Sequence, residues 1–456
     1  MKTLSALKLL KEKTRAEVFI VGGFVRDLIL KKEVNDIDVV VKGISVEEIK
    51  NFLKTYGKIK TVDLSERSNG FDVSILLFKG EDKKEAQISS VRGNINNDLQ
   101  KDAGHRDFTI NSLYLPIDKI EEKHVIDFVN GKRDLSNKII KATGNPCKRI
   151  KESPIRILRA VSLSARTGFS IDDELVKAIK SNVKLLNEIP EETIKIELNK
   201  IIMSDKPSEY FKMMLDFGIL ETILPEIYAC VGCTQNPIHH KFNVFEHCIY
   251  SVDNIEKNIV LRYAALLHDI GKPQTRKEED GNITFHNHEV IGAKIAVGLL
   301  QRLGFSIKFV KEVEHLILHH MYYYTEDWKD PALRRFIRKV GINESNINNL
   351  DSLPLFKLRA AERLGNGLKQ NPVTDKQIDF QNRLIKVFKE SNCFEINDLE
   401  INGDVIIREF SIEQGKLIGE ILRFLLNKVL ENPKLNDRKE LIKITAEYIK
   451  EEKVNK

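Results

Sequence analysis

The 456 residues include 73 Lys and Arg against 67 Asp and Glu, 42% are hydrophobic, and five are cysteines. This composition excludes collagen-like, low-complexity and disulfide-scaffold proteins, and the length predicts about three or four folding units. No apolar run approaches the roughly 18 residues that a bilayer requires, and Lys8 and Lys11 interrupt the segment where a signal peptide is apolar. We therefore expect a cytoplasmic protein with reduced thiols and no membrane partner.

Positive charge is concentrated in one segment. Residues 138–170 contain eight basic residues and a single acid, Glu152, so the segment has a net charge of +7. Such a concentration is typical of contact with phosphates or nucleic acid, although a solvated basic helix face has the same composition. The side chains that we expect to contact RNA are Lys148, Arg149, Lys151 and Arg166.

The N-terminal third has the pattern of a mixed α/β domain. Residues 17–21 predict a buried strand, Gly22 and Gly23 a turn, and residues 24–31 the start of an amphipathic helix. From about Lys138 onward helical periodicity dominates, so we expect the remainder to be α-helical. The other predicted elements of the N-terminal region are a strand containing Asp36 to Val41, a helix near 45–56, and strands at 72–78 and 86–92.

Asp36 and Asp38 are the first candidates for a catalytic site. Ile37 separates them and three valines follow, so on a strand both carboxylates project to one face while Ile37 enters the core. Two adjacent carboxylates repel each other unless a cation lies between them, and Mg²⁺ with carboxylate and phosphate ligands is usual in phosphoryl transfer. Gly22 and Gly23 precede a helix whose first backbone N–H groups are candidates to hold a triphosphate.

Together, these motifs resemble the signature of class II tRNA nucleotidyltransferases and the related bacterial poly(A) polymerases, members of the polymerase β superfamily. The glycine turn and the carboxylate pair stand at the family's spacing, and further segments follow in the family's order. They are HRDFTIN (105–111), VIDF with Asn130 and Gly131, ESPIRILRA (152–160), INGD (401–404) and IGEIL (418–422). The resemblance covers essentially the whole chain.

The resemblance implies an α+β multidomain protein. We expect a polymerase β-like nucleotidyltransferase head with a mixed sheet, followed by all-α neck, HD and C-terminal domains. The expected borders are a head at 1–136, a neck at 137–200, a helical linker at 201–234, an HD domain at 235–370 and a C-terminal tRNA-binding domain at 371–456.

The resemblance also implies metal-assisted transfer of a nucleotide to an RNA 3′-hydroxyl, with Mg²⁺ held by Asp36 and Asp38. The HRDFTIN segment corresponds to the motif that selects ribose over deoxyribose, and Ser153 and Arg156 correspond to the positions that read the incoming base. The residues implied to bind the nucleotide are Gly22, Gly23, Arg26, Arg106, Asp107, Asn111, Ser153, Arg156 and Arg159.

Two arginine predictions follow from spacing and charge. Arg156, Arg159 and Arg166 are separated by three and seven residues, which predicts a shared helical face, and Glu152 is positioned to fix the guanidinium of Arg156. Arg26 is a candidate to contact the triphosphate, and the alternative is an ion pair with Asp27 or Asp36.

Three positions depart from the family pattern. Ser153 stands where the family has an Asp, and because a hydroxyl both donates and accepts, discrimination against U and G should weaken. The family usually has a third acidic metal ligand five residues before an Arg, and here Gln87 stands at that position, five residues before Arg92. Glu85, on the same strand face, is the candidate substitute. The long flexible loop that precedes the HRD motif is reduced to residues 93–97, a loss associated with members that add only CC.

Nine of the eleven histidines lie between residues 239 and 320. The segment LLHDIGKP (266–273) resembles the HD-domain signature, and imidazoles with a carboxylate suit a divalent transition metal that activates water for phosphoester hydrolysis. Glu362 stands where related domains often have a final Asp. The alternative is a set of hydrogen-bonded core histidines without turnover. The implied ligands are His247, His268, Asp269, His288 and His320.

From these features we expect a template-independent tRNA nucleotidyltransferase that uses CTP and ATP and two-metal catalysis to add C, and also A, to the tRNA 3′ end. Two alternatives share the same head and neck: a CC-adding enzyme that needs a companion A-adding enzyme, and a poly(A) polymerase. A third is an HD-domain phosphohydrolase with an impaired head, which Gln87 and Ser153 would favour. The C-terminal domain is expected to bind tRNA by shape and phosphates, so binding should weaken with salt.

Overall fold

The computed structural model describes residues 1–34, 36–63, 74–90, 99–238, 240–322, 324–325, 327–391 and 393–454. The chain forms two compact units, one of residues 1–229 with 299–305 and one of residues 230–298 with 306–456. Within the described ranges, no helix is both long and apolar enough to cross a membrane.

The first unit begins with an α/β region around a seven-stranded sheet of order β3-β4-β5-β2-β1-β6-β7. Strands β2 and β5 pair in parallel, and the other neighbours pair antiparallel, so the sheet is mixed, as expected. The strands are β1 (Glu17–Val21), β2 (Ile37–Lys42), β3 (Lys58–Asp63), β4 (Ser74–Lys79), β5 (Glu85–Ser90), β6 (Leu113–Pro116) and β7 (Ile126–Asp127). The helices of this region are α1 (Thr3–Lys13), α2 (Gly23–Ile29), α3 (Val46–Leu53) and α4 (Leu99–His105).

The register of β2 determines which side chains share a face of the sheet. Asp38 lies opposite Val21 of β1 and opposite Gln87 of β5. Because side chains alternate along a strand, Val40 points to the same face as Asp38. Val40 is fully buried there in a cluster with Phe19 and Tyr114. The carboxylate of Asp38 therefore stands next to an apolar core on its own face of the sheet.

Helices α1 and α3 pack against each other, α1 also contacts β1, and α3 also contacts β4. Helix α1 buries Leu7 and Leu10 completely, and α3 buries Leu53. The start of α3 is fixed by a capping box, in which the Glu48 N–H donates to the Ser45 hydroxyl and the Ser45 N–H donates to the Glu48 carboxylate.

The rest of the first unit is almost entirely helical. Helix α7 packs on α9 and α10, and it ends at Gly168, whose φ of 75° lies in the left-handed region that glycine tolerates best. The elements are α5 (Gly131–Ser136), α6 (Pro146–Glu152), α7 (Arg156–Thr167), α8 (Asp173–Asn182), α9 (Glu191–Ile202), α10 (Pro207–Asp216), α11 (Ile219–Ile223) and α12 (Pro225–Tyr228), with the strand pair β8 (Ile139–Ile140) and β9 (Ser170–Ile171).

The described part of the second unit is helical apart from one short hairpin of strands β10 (Lys277–Glu279) and β11 (Asn282–Thr284). Helix α13 packs against α14 and α19, which forms the centre of the region that contains the histidines. The helices are α13 (Val244–Asp253), α14 (Ile259–Leu267), α15 (Lys272–Thr275), α16 (His288–Arg302), α17 (Ile307–His319), α18 (Asp330–Val340), α19 (Pro354–Gly365), α20 (Asp375–Lys389), α21 (Gly403–Phe410), α22 (Lys416–Glu431) and α23 (Arg438–Val454). The predicted α+β multidomain class is confirmed.

We expect Gly22→Ala to destabilise the first unit by about 1–3 kcal/mol. Gly22 has φ 70° and ψ −139°, a conformation that strains any residue with a Cβ, and an added Cβ would lie 2.9 Å from Oδ2 of Asp38. The measurement is the free energy of unfolding in urea. Gly104→Ala in helix α4 is the matched control, because a Cβ there meets nothing within 4 Å and the change should be neutral or stabilising. Equal stability of the two variants would contradict the prediction.

Candidate functional site

A cavity of about 410 Å³ in the first unit contains the predicted carboxylate pair. Strand β2 contributes Asp38, and Asp36 lies just before that strand. Helices α2, α7 and α9 contribute most of the remaining charge. The charged side chains on its walls are Arg26, Asp36, Asp38, Asp107, Arg159, Arg166, Glu197 and Lys200. The cavity therefore combines acids that suit a divalent cation with bases that suit phosphates.

The environment of Asp38 favours a cation. Burial raises the pKa of its carboxyl, and the neighbouring charge of Asp36 raises it further, while Arg106 acts in the opposite direction. A positive ion between two adjacent carboxylates relieves the repulsion between their charges. Gln87, which pairs with Asp38 across the sheet, adds a neutral amide oxygen on the cavity wall. These donors fit Mg²⁺, which prefers oxygen ligands.

Glu85, the predicted substitute for a third acidic ligand, is exposed at the start of β5, and it is not among the residues that line this cavity. Gln87, two residues later, does line it. Arg92 and the shortened segment 93–97 lie outside the described residues.

Arg26 connects helix α2 to the HRDFTIN segment. Its side chain is 1% exposed, and its Nε and Nη2 donate to the two carboxylate oxygens of Asp27 at 2.8 and 2.9 Å. Its Nη1 donates to Oδ1 of Asn111 at 2.6 Å. Of the two ion pairs considered from the sequence, the structure thus contains the one with Asp27. Arg26 and Asn111 both lie on the cavity wall.

Asp107 orients an arginine of helix α7. Nη2 of Arg159 lies 2.5 Å from Oδ2 of Asp107, and the Phe108 N–H donates to Oδ1 at 2.8 Å. Burial alone would raise the pKa of Asp107, but Arg159 and the Phe108 N–H more than offset it and lower the pKa. The ion pair holds the guanidinium of Arg159 at the cavity wall.

Arg106, the neighbour of Asp107, points elsewhere. Its Nε donates to Oδ2 of Asp102 at 2.9 Å and to the hydroxyl of Tyr114 at 3.1 Å. It is not among the residues that line the cavity, although its charge acts on Asp38. Its effect on the site is therefore electrostatic rather than by contact with the cavity.

The structure separates the three arginines that were expected to share one face of α7. Arg159 and Arg166, seven residues apart, both line the cavity, whereas Arg156 is buried and is not among the lining residues. On an α-helix, side chains seven residues apart point within about 20° of the same direction, whereas side chains three residues apart differ by about 60°. Arg156 instead donates to the carbonyl oxygens of Arg149 at 2.7 Å and His105 at 2.8 Å.

Ser153 ends helix α6 and is also not among the cavity-lining residues. Its N–H donates to the carbonyls of Arg149 and Ile150, as expected for a C-cap. Both positions that the resemblance assigns to base reading, Ser153 and Arg156, thus lie beside the cavity rather than on its wall.

The four predicted RNA contacts occupy different environments. Lys148 and Lys151 are exposed on α6, and Arg166 is about half-exposed with Nη2 3.4 Å from Oδ2 of Asp27. Arg149 is buried and donates to the Gly104 carbonyl at 3.0 Å and to Glu152 at 2.5 Å. Arg149 therefore ties α6 to α4 instead of presenting charge to a ligand.

The sequence interpretation missed a second group of cavity residues. Glu197 of α9 is 6% exposed, accepts from the hydroxyl of Ser162 on α7, and accepts from Nζ of Lys200 at 2.8 Å. All three line the cavity. The available signal was an acid on the apolar face of an amphipathic helix. The apolar residues buried on that face are Ile194, Leu198, Ile201 and Ile202.

The predicted HD residues meet in the interior of the second unit. Nε2 of His247 and Nε2 of His268 are 3.1 Å apart, and Nε2 of His288 and Nε2 of His320 are 3.4 Å apart. Oδ2 of Asp269 lies 3.3 Å from His268, and Oδ1 lies 3.3 Å from His288. The ligand atoms form two sets, one of His247, His268 and Glu362 and one of Asp269, His288 and His320.

In three of these histidines, a hydrogen bond to the main chain fixes which ring nitrogen carries the proton. Nδ1 of His268, His288 and His320 each lies 2.6 to 2.8 Å from a backbone carbonyl, which can only accept, so Nδ1 carries the proton. Burial lowers the pKa of His320, and it lowers that of His247 to about 3. Burial acts to lower the pKa of His268, but the Asp269 carboxylate more than offsets it and raises that pKa. With Nδ1 bonded to the main chain, Nε2 of His268, His288 and His320 lies toward the other side chains of the cluster, an arrangement that metal-binding histidines commonly show. The donor set fits a divalent transition metal.

Two basic residues border this cluster. Nζ of Lys272 lies 2.7 Å from Oδ2 of Asp269 and donates to Oε1 of Gln235 at 2.7 Å. Arg359 donates to both carboxylate oxygens of Glu362, at 3.0 and 2.8 Å. Burial would raise the pKa of Glu362, but Arg359 and His268 lower it to about 2. Glu362 is therefore ionised at neutral pH and available as an oxygen ligand.

Three family models match consecutive parts of the chain: the poly(A) polymerase head domain (18–141), the probable RNA and SrmB-binding site of polymerase A (168–230), and the HD domain (238–352). The crystal structure of the Bacillus stearothermophilus CCA-adding enzyme in complex with CTP has a similar fold. Its TM-score is 0.66 at 18% identity, over 100% of this chain and 98% of that one.

Curated relatives cover the chain to different extents. The CCA-adding enzyme of Ligilactobacillus salivarius is 25% identical over 96% of this chain and 94% of its own length. The CC-adding tRNA nucleotidyltransferase of Thermus thermophilus is 27% identical over 92% and 91%. The match to the A-adding tRNA nucleotidyltransferase of Deinococcus radiodurans, at 28% identity, covers 53% of this chain and 56% of that relative, so the chain spans about half the length of that protein.

The models for the head, the RNA-binding segment and the HD domain match in this order along one chain, and two relatives match over nearly their whole length. The fold agrees with both findings. These matches confirm the resemblance to the class II family of CCA-adding enzymes and poly(A) polymerases that the sequence motifs indicate.

Proposed function

We propose that this chain is a template-independent tRNA nucleotidyltransferase that transfers CMP and AMP from CTP and ATP to the tRNA 3′ end and releases pyrophosphate. The observation that carries the proposal is one cavity of the first unit, which Asp36 and Asp38 share with Arg159, Arg166 and Lys200. The acids suit Mg²⁺, and the bases suit the phosphates of a nucleotide and of an RNA end. The relatives that are named CCA-adding and CC-adding support this function.

Asp36, Asp38 and the amide oxygen of Gln87 would hold Mg²⁺, with Gln87 rather than Glu85 as the third ligand because Gln87 lines the cavity. When bound, Mg²⁺ stabilises the charge of the transferred phosphate and of the leaving pyrophosphate and activates the attacking hydroxyl. The chain's own residues contribute mainly positioning. Gly22 and Gly23 let the triphosphate approach the backbone, and Arg26 holds Asn111 beside it.

We further propose that Lys148, Lys151 and Arg166 contact RNA phosphates, since their charges are exposed or line the cavity. The borders inferred from the sequence stand as part of this proposal: head 1–136, neck 137–200, linker 201–234, HD domain 235–370 and C-terminal tRNA-binding domain 371–456. Binding by phosphate contacts predicts that tRNA affinity falls as salt is raised.

Replacing both Asp36 and Asp38 by Ala should reduce nucleotide addition at least about 100-fold, because the cavity loses its cation ligands. The assay supplies Mg²⁺, a tRNA without its terminal CCA, a tRNA lacking only the final A, and intact tRNA, with each nucleotide alone and in combination. Products are read at single-nucleotide resolution. His268→Ala, in the second unit, is the control that should retain addition.

The products also separate the alternatives. Extension by CC and then A supports the proposal, and arrest after CC would instead indicate an enzyme that needs a companion A-adding enzyme. ATP-only tailing of arbitrary RNA would indicate a poly(A) polymerase. No extension of any RNA would contradict nucleotidyl transfer by this chain.

The second unit supports a second candidate function, metal-dependent hydrolysis of a phosphoester. The observation in its favour is a buried cluster of two sets of candidate metal ligands, in which Asp269 lies close to histidines of both sets. Imidazole and carboxylate ligands suit a transition metal that generates hydroxide at neutral pH. Lys272, 2.7 Å from Asp269, adds a positive charge at the edge of the site that suits an anionic substrate.

Asp269→Asn should weaken binding of Mn²⁺ to the second unit by at least about 10-fold, because an oxygen of the Asp269 carboxylate lies within 3.7 Å of Nε2 of each of the four imidazoles. Isothermal titration of the full chain measures the affinity, in the Asp36→Ala background to remove the head site. His319→Ala is the control, since His319 belongs to neither ligand set. Equal affinities of both variants would rule out a metal at this cluster.

Phosphate release from a generic phosphoester such as p-nitrophenyl phosphate should require added Mn²⁺, persist in Asp36→Ala, and fall at least about 100-fold in His268→Ala. The physical reason is that His268 belongs to the first ligand set, whereas Asp36 lies in the other unit. Hydrolysis that is lost in Asp36→Ala would argue against this second function.

A further inference from the structure

We infer that the second unit binds a compact anion with two or more phosphate groups, such as pyrophosphate or the triphosphate of a free nucleotide, in a cavity of about 520 Å³ beside helix α18. Helices α17 and α22 also contribute to the walls of this cavity. The inference is independent of the proposed nucleotide transfer, because it concerns neither the cavity of the first unit nor the ligand sets around Asp269.

Three basic side chains of α18 line the cavity: Arg335, Arg338 and Lys339. Arg338 and Lys339 follow Arg335 by three and four residues, so both are its neighbours on the helix surface, and the helix rises only about 6 Å over this stretch. Like charges at these spacings repel each other and destabilise a helix. The C-terminal end of the helix favours bases in its last turn, which contains Arg338 and Lys339, but Arg335 lies before that turn.

No acid neutralises these three charges in the part of the chain that the structure describes. None of the three side chains forms an ion pair or a side-chain hydrogen bond with another described residue. Among the described residues that line the cavity, Glu395 is the one acid, and its carboxylate accepts from the N–H of Asp398 in a capping box. The cavity therefore keeps an excess of positive charge, which an anion would compensate.

Arg334, the neighbour of Arg335, differs because its charge has a structural use. Its Nε donates to the Leu430 carbonyl at 2.6 Å, and its Nη2 donates to the Glu431 carbonyl at 2.9 Å. These hydrogen bonds hold α18 against the C-terminal end of α22, and Leu430 also lines the cavity. The wall is thus fixed by one arginine, while its neighbours remain free to contact a ligand.

The surroundings of Lys339 also favour an anion. Partial burial lowers the pKa of its ammonium group, and no described carboxylate raises it again. Partial burial and the charge of Lys339 together lower the pKa of His315, which lines the cavity from α17. The imidazole of His315 is therefore predominantly neutral at pH 7 and has one N–H to donate. Asn427 of α22 adds an amide N–H₂ on the same cavity.

The shape of the site favours a compact anion over an RNA strand. A single strand carries one charge per nucleotide along its length, and proteins bind it with a positive groove that follows the backbone. Here the three bases of α18 lie within about one helical turn and border a concavity. A cavity of about 520 Å³ has the size that small ligands occupy. A diphosphate or triphosphate group concentrates several negative charges in such a volume.

The test replaces two of these bases in the variant Arg338→Gln with Lys339→Gln. Isothermal titration of the full chain with pyrophosphate, in metal-free buffer at about 0.15 M salt, measures the affinity. The affinity should fall at least about 10-fold, because the anion loses charge-assisted hydrogen bonds. The first unit is the same in both proteins, so pyrophosphate bound there contributes equally to both titrations. The Tm should not fall, since the change removes neighbouring like charges.

Lys376→Gln with Lys386→Gln is the matched control. It removes two charges from exposed positions of α20 in the same unit, and neither residue lines the cavity, so the affinity for pyrophosphate should not change. ATP, titrated in the same buffer, distinguishes the two sources of the anion. Binding of ATP with the same loss in the cavity variant identifies a nucleoside triphosphate, whereas binding of pyrophosphate alone identifies the free anion.

Two results would overturn the inference. The first is an equal affinity of the cavity variant and the control variant for pyrophosphate. The second is a loss of affinity for tRNA in the cavity variant without any change for pyrophosphate, because the three bases would then serve an RNA backbone.

Discussion

The site in the first unit depends on the register of strand β2 between β1 and β5. Asp38 points to one face, opposite Gln87, and Ile37, Val39 and Val41 are buried on the other. A shift by one residue would move the carboxylate to the face where Ile37, Val39 and Val41 are buried and would turn these three side chains to the face of the cavity. Burying each apolar side chain contributes about 1.5–3 kcal/mol to the free energy of unfolding. Hydrophobic packing therefore holds the two carboxylates close together in spite of their mutual repulsion.

In both units, hydrogen bonds to backbone carbonyls determine which polar side-chain atoms remain available to a ligand. In the first unit, carbonyls of Arg149 and His105 occupy the guanidinium of Arg156, while Arg159 is left at the cavity. In the second, carbonyls occupy Nδ1 of His268, His288 and His320 and leave Nε2 toward the centre. Because buried donors must find acceptors, the same main-chain bonds that satisfy these side chains also determine which of their atoms can act.

Local patterns were sufficient for much of the fold and for the carboxylate pair. The apolar run at 17–21 predicts β1 with the observed bounds, and the helix predicted near 45–56 is α3 at 46–53. Strand β3 was missed because Lys58, Lys60 and Asp63 weaken its apolar signal, and β3 has only β4 as a neighbour in the sheet. The residues of the HD motif were expected to lie together because a short motif and the sequence positions of the histidines both indicate them, and the structure brings them together.

Contacts between distant segments were the part that could not be predicted. Spacing alone put Arg156 with Arg159 and Arg166, but which side of α7 is covered depends on α4, α6 and α9, and these contacts span up to 51 residues along the chain. Glu197 was overlooked because an acid on an apolar helix face looks like an exception until Ser162 and Lys200 are found beside it. Glu85 and Gln87 are both exposed on strand β5, but of these two residues only Gln87 lines the cavity.

The buried hydrogen bonds of Arg26 have a consequence for the energetics of ligand binding in the cavity. The guanidinium of Arg26 joins Asp27 to Asn111, which lies 85 positions after Arg26 in the chain. The side chain of Arg26 is almost inaccessible to water. These three groups are ordered when the chain folds, so the loss of their conformational entropy accompanies folding and not the later binding of a ligand. Helix α2 and the segment around Asn111 thus form a preorganised corner of the cavity, and the binding energy of a ligand there is available for holding the ligand itself.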